Sequence, residues 1–179
     1  LMITGKGRCN VCNNCDIDTL IANVPENGRF LYSAFSGFAP QDTMTFFESL
    51  GVSLKTERGN RVFPVSDKAS DIVDALVKAA KRGGAEIIQG TAKKILTENG
   101  AVSGVLLENG EALPADSVIL ATGGMSYPLT GSTGDGYKIA RALGHTITEI
   151  KPSLVALNAH EGFCERLAGL SLKNVALSV

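Results

Sequence analysis

The sequence has no apolar run that approaches the length of a membrane-spanning helix. Such a helix needs about 20 consecutive apolar residues, and every apolar run in this chain is far shorter. The first residues carry Gly, Lys and Arg where a signal peptide would have its apolar segment. We therefore expect no membrane partner and a cytoplasmic protein.

A surplus of charge of either sign is also missing. The 17 basic and 18 acidic side chains leave a net charge of −1. Nucleic-acid-binding domains concentrate Lys and Arg on one face, so we expect no nucleic acid partner. With 44% hydrophobic and 20% charged residues, the composition is typical of a soluble globular protein. A chain of 179 residues suffices for one domain or slightly more.

Potential metal ligands are few. Cys9, Cys12 and Cys15 have the C-x2-C-x2-C spacing that bacterial iron–sulfur proteins use. That motif requires a fourth Cys at the position of Thr19, and Cys164 lies far along the sequence. The two histidines have no ligand spacing. We expect no metal site and free thiols, with an iron–sulfur electron carrier as the alternative.

Two glycine-rich segments carry the most information. Residues 118–124 are Val-Ile-Leu-Ala-Thr-Gly-Gly, and residues 130–137 are Thr-Gly-Ser-Thr-Gly-Asp-Gly-Tyr. The apolar run at 118–121 predicts a strand buried on both faces. The helical spacing that begins at Tyr137 predicts a helix, whose N-terminus would favour an anionic or polar cofactor group. The alternative is that the glycines serve turn geometry alone.

The rest of the chain predicts further helices and two groups of strands. Residues 1–15 are rich in Gly and Asn and are expected to form a loop. We expect a helix at 16–22 with Asp16 as a candidate N-cap, and further helices at 43–50 and from 66–70 to Gly83. The last of these has an apolar stripe formed by Ile72, Val73, Leu76, Val77 and Ala80. A hairpin of strands is expected at 52–56 and 61–63. Strands at 86–96, 102–108 and 111–114 are joined by Asn-Gly pairs and predict a three-stranded meander.

Three stretches together resemble a known family. The Ala-Thr-Gly of 121–123 and the Gly-Asp-Gly of 134–136 are similar to segments of two-dinucleotide-binding flavoproteins. Residues 3–10 resemble the Gly-x-Gly-Arg-Cys-Asn signature of the BaiN/HI0933-like family of FAD-dependent NAD(P)-type oxidoreductases. Residues 61–66 and 152–157 resemble further landmarks of that family, in the same order along the chain.

The resemblance implies an α/β fold in two parts. Residues 1–150 are expected to form a partial FAD/NAD(P)-binding Rossmann-like domain of glutathione-reductase type with the three-stranded β-meander. Residues 151–179 are expected to begin a second, β-rich domain. The Gly-x-Gly-x-x-Gly unit that holds the ADP half of FAD has no counterpart in the sequence. We therefore expect an internal fragment of a longer flavoprotein, whose N- and C-terminal parts are missing here.

An FAD site is implied as well. Arg8 would bind the pyrophosphate through its planar guanidinium, and Asp135 would accept hydrogen bonds from the ribitol hydroxyls. The alternatives are a solvent-exposed loop arginine and a helix N-cap, and Asn10 either bridges backbone and cofactor or caps a turn. The expected cofactor-binding residues are Gly5, Lys6, Gly7, Arg8, Cys9, Asn10, Ala92, Ala121, Thr122, Gly123, Gly124, Gly134, Asp135 and Gly136.

The implied activity is that of an FAD-dependent oxidoreductase in the intact protein. NADH or NADPH would pass hydride to the flavin, which would then reduce a small organic substrate. No catalytic acid or base is predicted, because the flavin carries the redox chemistry itself. The isolated chain is expected to be inactive, and the alternative is a fragment that binds a nucleotide or partner without turnover.

Overall fold

The computed structural model of the protein describes residues 2, 4–152, 160–170 and 175–176. The chain forms two compact units, Leu1–Gln89 and Gly90–Val179. No helix within the described residues is both long enough and apolar enough to span a membrane. The predicted boundary between residues 150 and 151 stays a prediction, because about half of 151–179 lies outside the described residues, including 153–157 of the landmark at 152–157.

A small antiparallel sheet with the order β1–β3–β2 organises the first unit. Its strands are β1 (Cys12–Asn13), β2 (Leu54–Glu57) and β3 (Arg61–Pro64). The predicted hairpin between β2 and β3 is confirmed. The prediction of a loop throughout 1–15 is wrong at β1, where Cys12 and Asn13 pair with β3. A strand of two residues is too short to show an alternating pattern in the sequence.

The helices among the described residues of the first unit are α1 (Ile17–Ala22), α2 (Tyr32–Gly37), α3 (Pro40–Ser49) and α4 (Ala69–Arg82), with 3₁₀ turns at Thr4–Gly7 and Gly28–Leu31. Asp16 caps α1 as predicted, since its carboxylate accepts a hydrogen bond of 2.6 Å from the Thr19 amide. The apolar stripe of α4 is confirmed in part: Ile72 is buried, while Val73 and Val77 are half-buried. The helix buries Ala69, Ile72 and Ala75 against Phe47, Val52 and Cys9 to form the core.

The second unit contains the predicted meander. Its strands are β4 (Ala92–Glu98), β5 (Ala101–Leu107) and β6 (Ala112–Pro114), in the order β4–β5–β6. Asn99 and Gly100 both have positive φ, at 50° and 80°, which is the backbone that a two-residue Asn-Gly hairpin turn requires. Within the described part of this unit, a 3₁₀ turn at Pro128–Thr130 and the helices α5 (Asp135–Ala142) and α6 (Phe163–Arg166) follow.

Two predicted strand segments are absent from the described structure. Residues 118–121 form no strand, and Ile119 is 93% exposed instead of buried. Residues 86–91 likewise form none, so β4 begins later than expected, and Ile87 and Ile88 are half exposed. Both segments are apolar enough for a strand, but a strand also needs a neighbour for its backbone N–H and C=O groups. No strand among the described residues pairs with either segment.

Candidate functional site

The two glycine-rich segments, 118–124 and 130–137, are in contact. The Gly134 amide donates a hydrogen bond of 3.2 Å to the Gly124 carbonyl. Gly134 is the N-cap of α5 and has a φ of 79°, a conformation that glycine adopts without strain. Gly136 is buried, and a Cβ atom there would overlap Thr122 Oγ1. These contacts hold the start of α5 against residues 122–124.

Asp135 is the first residue of α5. It is not the N-cap, so the helix-capping alternative is wrong; that position belongs to Gly134. The carboxylate accepts hydrogen bonds from Lys138 Nζ at 2.8 Å and from Thr133 Oγ1 at 2.5 Å. The Lys138 ammonium, followed by the Thr133 hydroxyl, holds the pKa of Asp135 below its usual value. An ionised carboxylate with two oxygens has room for further hydroxyl donors.

A concavity between β4 and α5 brings Asp135 and Ala92 together. Its volume is about 330 Å³, and its lining consists of Ala92, Lys93, Lys94, Glu108, Asp135, Lys138, Ile139 and Ala142. The strand register skips Lys93, since Ala92 pairs with Leu107 and Lys94 with Leu106. A bulge of this kind re-aims side chains, and here two consecutive lysines line one concavity. Sequence reasoning missed Lys94, because a bulge breaks the two-residue period.

The polar side chains that line this concavity suit part of a dinucleotide. Ammonium groups suit phosphate oxygens, and the Asp135 carboxylate suits hydroxyl groups. Ligand pockets of about 300–1,000 Å³ hold small molecules, so a space of about 330 Å³ holds only one portion of FAD. The exposed residues Ala121, Thr122 and Gly123 lie in the same unit and line no part of it.

Arg8 belongs to the first unit and is not a solvent-exposed loop arginine. Its guanidinium nitrogen Nη1 lies 2.9 Å from Glu57 Oε1 and 3.3 Å from Asp67 Oδ1. The guanidinium carbon lies 4.0 Å from the centroid of the Phe63 ring, within the range of a cation–π contact. The Arg8 side chain is 29% exposed. The guanidinium is therefore held by carboxylates and by an aromatic face.

Opposite charges around Arg8 shift the pKa values of Arg8, Lys55 and Asp67. The hydrogen bond to Glu57 raises the pKa of Arg8, and the hydrogen bond to Asp67 raises the pKa of Lys55. The Lys55 ammonium, more than Arg8, lowers the pKa of Asp67. Sequence reasoning missed Lys55, Glu57 and Asp67. The only signal was that Lys55 and Glu57 are two apart on β2 and therefore share a face.

Other residues of the signature segment are held by their backbone conformation, by burial in the core or by hydrogen bonds to the backbone. Lys6, Gly7 and Cys9 all have positive φ, and Cys9 is 1% exposed in the core. With its amide oriented to donate, Asn10 Nδ2 lies 3.0 Å from the Cys12 carbonyl and 3.2 Å from that of Val62. Asn10 therefore contacts the backbone of β1 and β3, and both of its expected roles stay predictions.

The cysteines are free thiols in three different environments. Cys9 is buried, Cys12 and Cys15 are half-buried, and Cys164 is exposed. Burial, with a smaller contribution from Cys15, raises the pKa of the Cys12 thiol. Within the described part of the chain, no three His, Cys, Asp or Glu residues form a group that could hold a metal ion.

Comparison with known proteins identifies the family. The HI0933-like protein Rossmann domain matches residues 1–178. The chain therefore belongs to the HI0933-like family, which confirms the resemblance found in the signature motifs and the Rossmann-like, mixed α/β class. The finer assignment to the glutathione-reductase type stays a prediction.

The curated relatives are longer proteins. A 3-dehydro-bile acid delta(4,6)-reductase of Clostridium scindens is 34% identical over 171 residues, which are 95% of this chain and 41% of that protein. A ribosomal RNA dihydrouridine synthase of Escherichia coli is 27% identical over 98% of this chain and 44% of its own length. Its counterpart from Haemophilus influenzae is 26% identical over 96% of this chain and 43% of its own length. The chain thus spans less than half the length of these relatives.

Proposed function

We propose that this chain supplies part of the FAD site of an oxidoreductase. The observation that carries the proposal is the contact between the two glycine-rich segments. This contact consists of the Gly134–Gly124 hydrogen bond and the packing of Gly136 on Thr122. Together they fix Asp135 at the start of α5. The Asp135 carboxylate then lines the same concavity as Ala92. Membership of the HI0933-like family supports the same cofactor.

Different residues of the chain would bind different groups of FAD. Asp135 would accept hydrogen bonds from ribitol hydroxyls, and Arg8 would donate to phosphate oxygens. When bound, the flavin supplies a ring that accepts and returns hydride. The protein's part is to orient that ring and to set the charge around it.

NADH or NADPH is the reductant that we propose, and a small organic molecule with a polarised double bond is the substrate. The names of the relatives support a reduction: one is a delta(4,6)-reductase, and dihydrouridine is uridine with two added hydrogens. A small molecule is favoured over RNA by the higher identity to the bile acid reductase and by the net charge of −1. Contacts from Lys and Arg to phosphates supply a large share of the affinity of nucleic-acid binding.

A spectroscopic experiment tests this function. The full-length gene product is purified and its visible spectrum recorded, and then NADH or NADPH is added without oxygen. Two flavin absorption bands that bleach on addition support the proposal. A colourless protein that does not take up added FAD contradicts it and favours a binding fragment without turnover, and a broad brown absorption tail favours an iron–sulfur carrier. Turnover with a conjugated enone, compared with turnover on unmodified ribosomal RNA, separates the two substrate classes.

A further inference from the structure

Both oxygens of the Asp135 carboxylate are held by nearby side chains. Oδ1 accepts a hydrogen bond of 2.8 Å from Lys138 Nζ, and Oδ2 accepts one of 2.5 Å from Thr133 Oγ1. The terminal torsion of an aspartate is otherwise broad, because it joins an sp³ to an sp² carbon. Rotation about this bond would break both hydrogen bonds, so the two donors together fix the plane of the carboxylate.

The carboxylate of Asp135 keeps acceptor capacity for a ligand. An ionised carboxylate has about four lone-pair sites, and Thr133 and Lys138 occupy one on each oxygen. The Asp135 side chain is 37% exposed and lines the concavity of about 330 Å³ beside β4, so a ligand in this space reaches it. Free acceptor sites on both oxygens of one carboxylate suit two neighbouring hydroxyl groups of a polyol.

We propose that Thr133 and Lys138 are positioning residues, which hold the Asp135 carboxylate so that its remaining acceptor sites bind adjacent hydroxyl groups of the ligand. This inference rests on the proposed function, in which those hydroxyl groups belong to the ribitol of FAD. The opposite interpretation is that Thr133 and Lys138 compete with the ligand for Asp135. The two interpretations predict opposite signs, because loss of the Thr133 hydroxyl weakens FAD binding if Thr133 positions Asp135 and strengthens it if Thr133 competes.

The first test is a double-mutant cycle on the full-length protein, with the Kd for FAD as the measured quantity. Thr133→Val is combined with Asp135→Ala, and the thermal midpoint of each FAD-free protein is recorded beside its Kd. Thr133→Val removes no charge, so long-range attraction to the phosphates of FAD stays the same. We expect it to raise the Kd about fivefold in the parent and less than about twofold when Asp135 is already Ala, since coupled residues are non-additive.

Two further threonine variants separate the hydroxyl from the rest of the side chain. Thr133→Ser keeps the hydroxyl donor and should bind FAD as the parent does. Thr97→Val makes the same change at an exposed threonine of β4 that does not line the concavity, and it should leave the Kd unchanged.

Lys138 is tested through the pH dependence of the Kd. The Lys138 ammonium is the largest cause of the lowered pKa of Asp135, so Lys138→Met raises that pKa, and a protonated carboxyl has less acceptor capacity. As the pH falls from about 7 to about 4, the Kd of Lys138→Met should therefore start to rise at a higher pH than that of the parent. Lys151→Met removes the same charge from an exposed ion pair with Glu149 in the same unit and should keep the parent's profile. The other charged residues of the concavity, which all these proteins retain, are Lys93, Lys94 and Glu108.

Four results would overturn the inference while leaving the proposed function intact. They are a Kd that stays the same or falls in Thr133→Val, an equal effect of Thr133→Val with and without Asp135, an equal effect in Thr97→Val, and the same pH profile in Lys138→Met and the parent. A parent protein that binds no FAD removes the proposed function itself, and the inference with it. If Thr133→Val does not fold, Thr133→Ala takes its place, with the same expected result and the same results against it.

Discussion

Gly136 lies directly against the side chain of Thr122, so closely that a Cβ atom at position 136 would overlap Thr122 Oγ1. The contact joins the first turn of α5 to the glycine-rich segment that precedes it by more than ten residues. The absence of a side chain at position 136 is therefore a packing requirement. The same packing holds Asp135 beside β4.

Gly136→Ala is expected to lower the free energy of unfolding by about 1–3 kcal/mol, the usual cost of forcing an extra methyl group into a packed site. Urea denaturation measures the change. Gly37→Ala is the matched control, because Gly37 lies in α2 and a Cβ atom added there would have no neighbour within 4 Å, so this change should be neutral or slightly stabilising. Thr122→Ala should restore part of the stability of Gly136→Ala. Equal stability of the two glycine variants would contradict the packing role.

Lowering the pH should reduce the free energy of unfolding of the first unit, because Asp67 becomes protonated. Lys55, and then Arg8, lower the pKa of Asp67 in the folded state. As pH falls, the unfolded chain therefore takes up a proton at this carboxyl first. The stabilisation by Asp67 is complete above the unfolded pKa of about 3.9 and is lost as pH falls through the folded pKa. Urea denaturation from about pH 6 to about pH 3 should show a smaller loss for Asp67→Asn than for the parent. An equal loss in both would show that the ion pairs contribute nothing to stability.

The features predicted correctly are those that depend on residues close together in the sequence. The features missed depend on residues that are far apart in the sequence. The Asn-Gly turn at Gly100, the Asp16 cap and the stripe of α4 each depend on neighbouring residues, and the structure contains all three. The prediction of a strand at 118–121 is wrong. Apolar residues in a sequence indicate burial, but they do not indicate whether a neighbouring strand is present to pair with. The pairing of Arg8 with Glu57 spans 49 residues, and no sequence pattern predicts a contact at that separation.

Cys12 and Cys15 are expected to be dispensable. Both thiols are half-buried, and Cys12 donates a weak hydrogen bond of 3.8 Å to the Pro40 carbonyl. The double change Cys12→Thr and Cys15→Ser should alter the free energy of unfolding by no more than about 0.5 kcal/mol. Cys9→Ser is the informative contrast, since it places a hydroxyl in the apolar core at a cost of about 1–3 kcal/mol. Iron and zinc analysis of anaerobically purified protein completes the test, and stoichiometric metal that disappears in the double variant would establish a cluster.

The 179-residue chain expressed alone is expected not to retain one FAD per chain. It contains no Gly-x-Gly-x-x-Gly unit to cradle the pyrophosphate, and the concavity beside Asp135 is too small for a whole dinucleotide. The measurement is the ratio of flavin to protein absorbance after gel filtration. A yellow preparation with near-stoichiometric flavin would show that these residues form the complete site.

The most direct test of the account is the affinity of the full-length protein for FAD when Asp135 is replaced by Ala. The account predicts that the Kd rises about tenfold or more, the scale of a lost hydrogen bond to a charged group. Asp116→Ala, at an exposed carboxylate of the same unit, should leave the Kd unchanged. If Asp135→Ala binds FAD as tightly as the parent, the glycine-rich segments serve turn geometry alone and the proposed cofactor site is wrong.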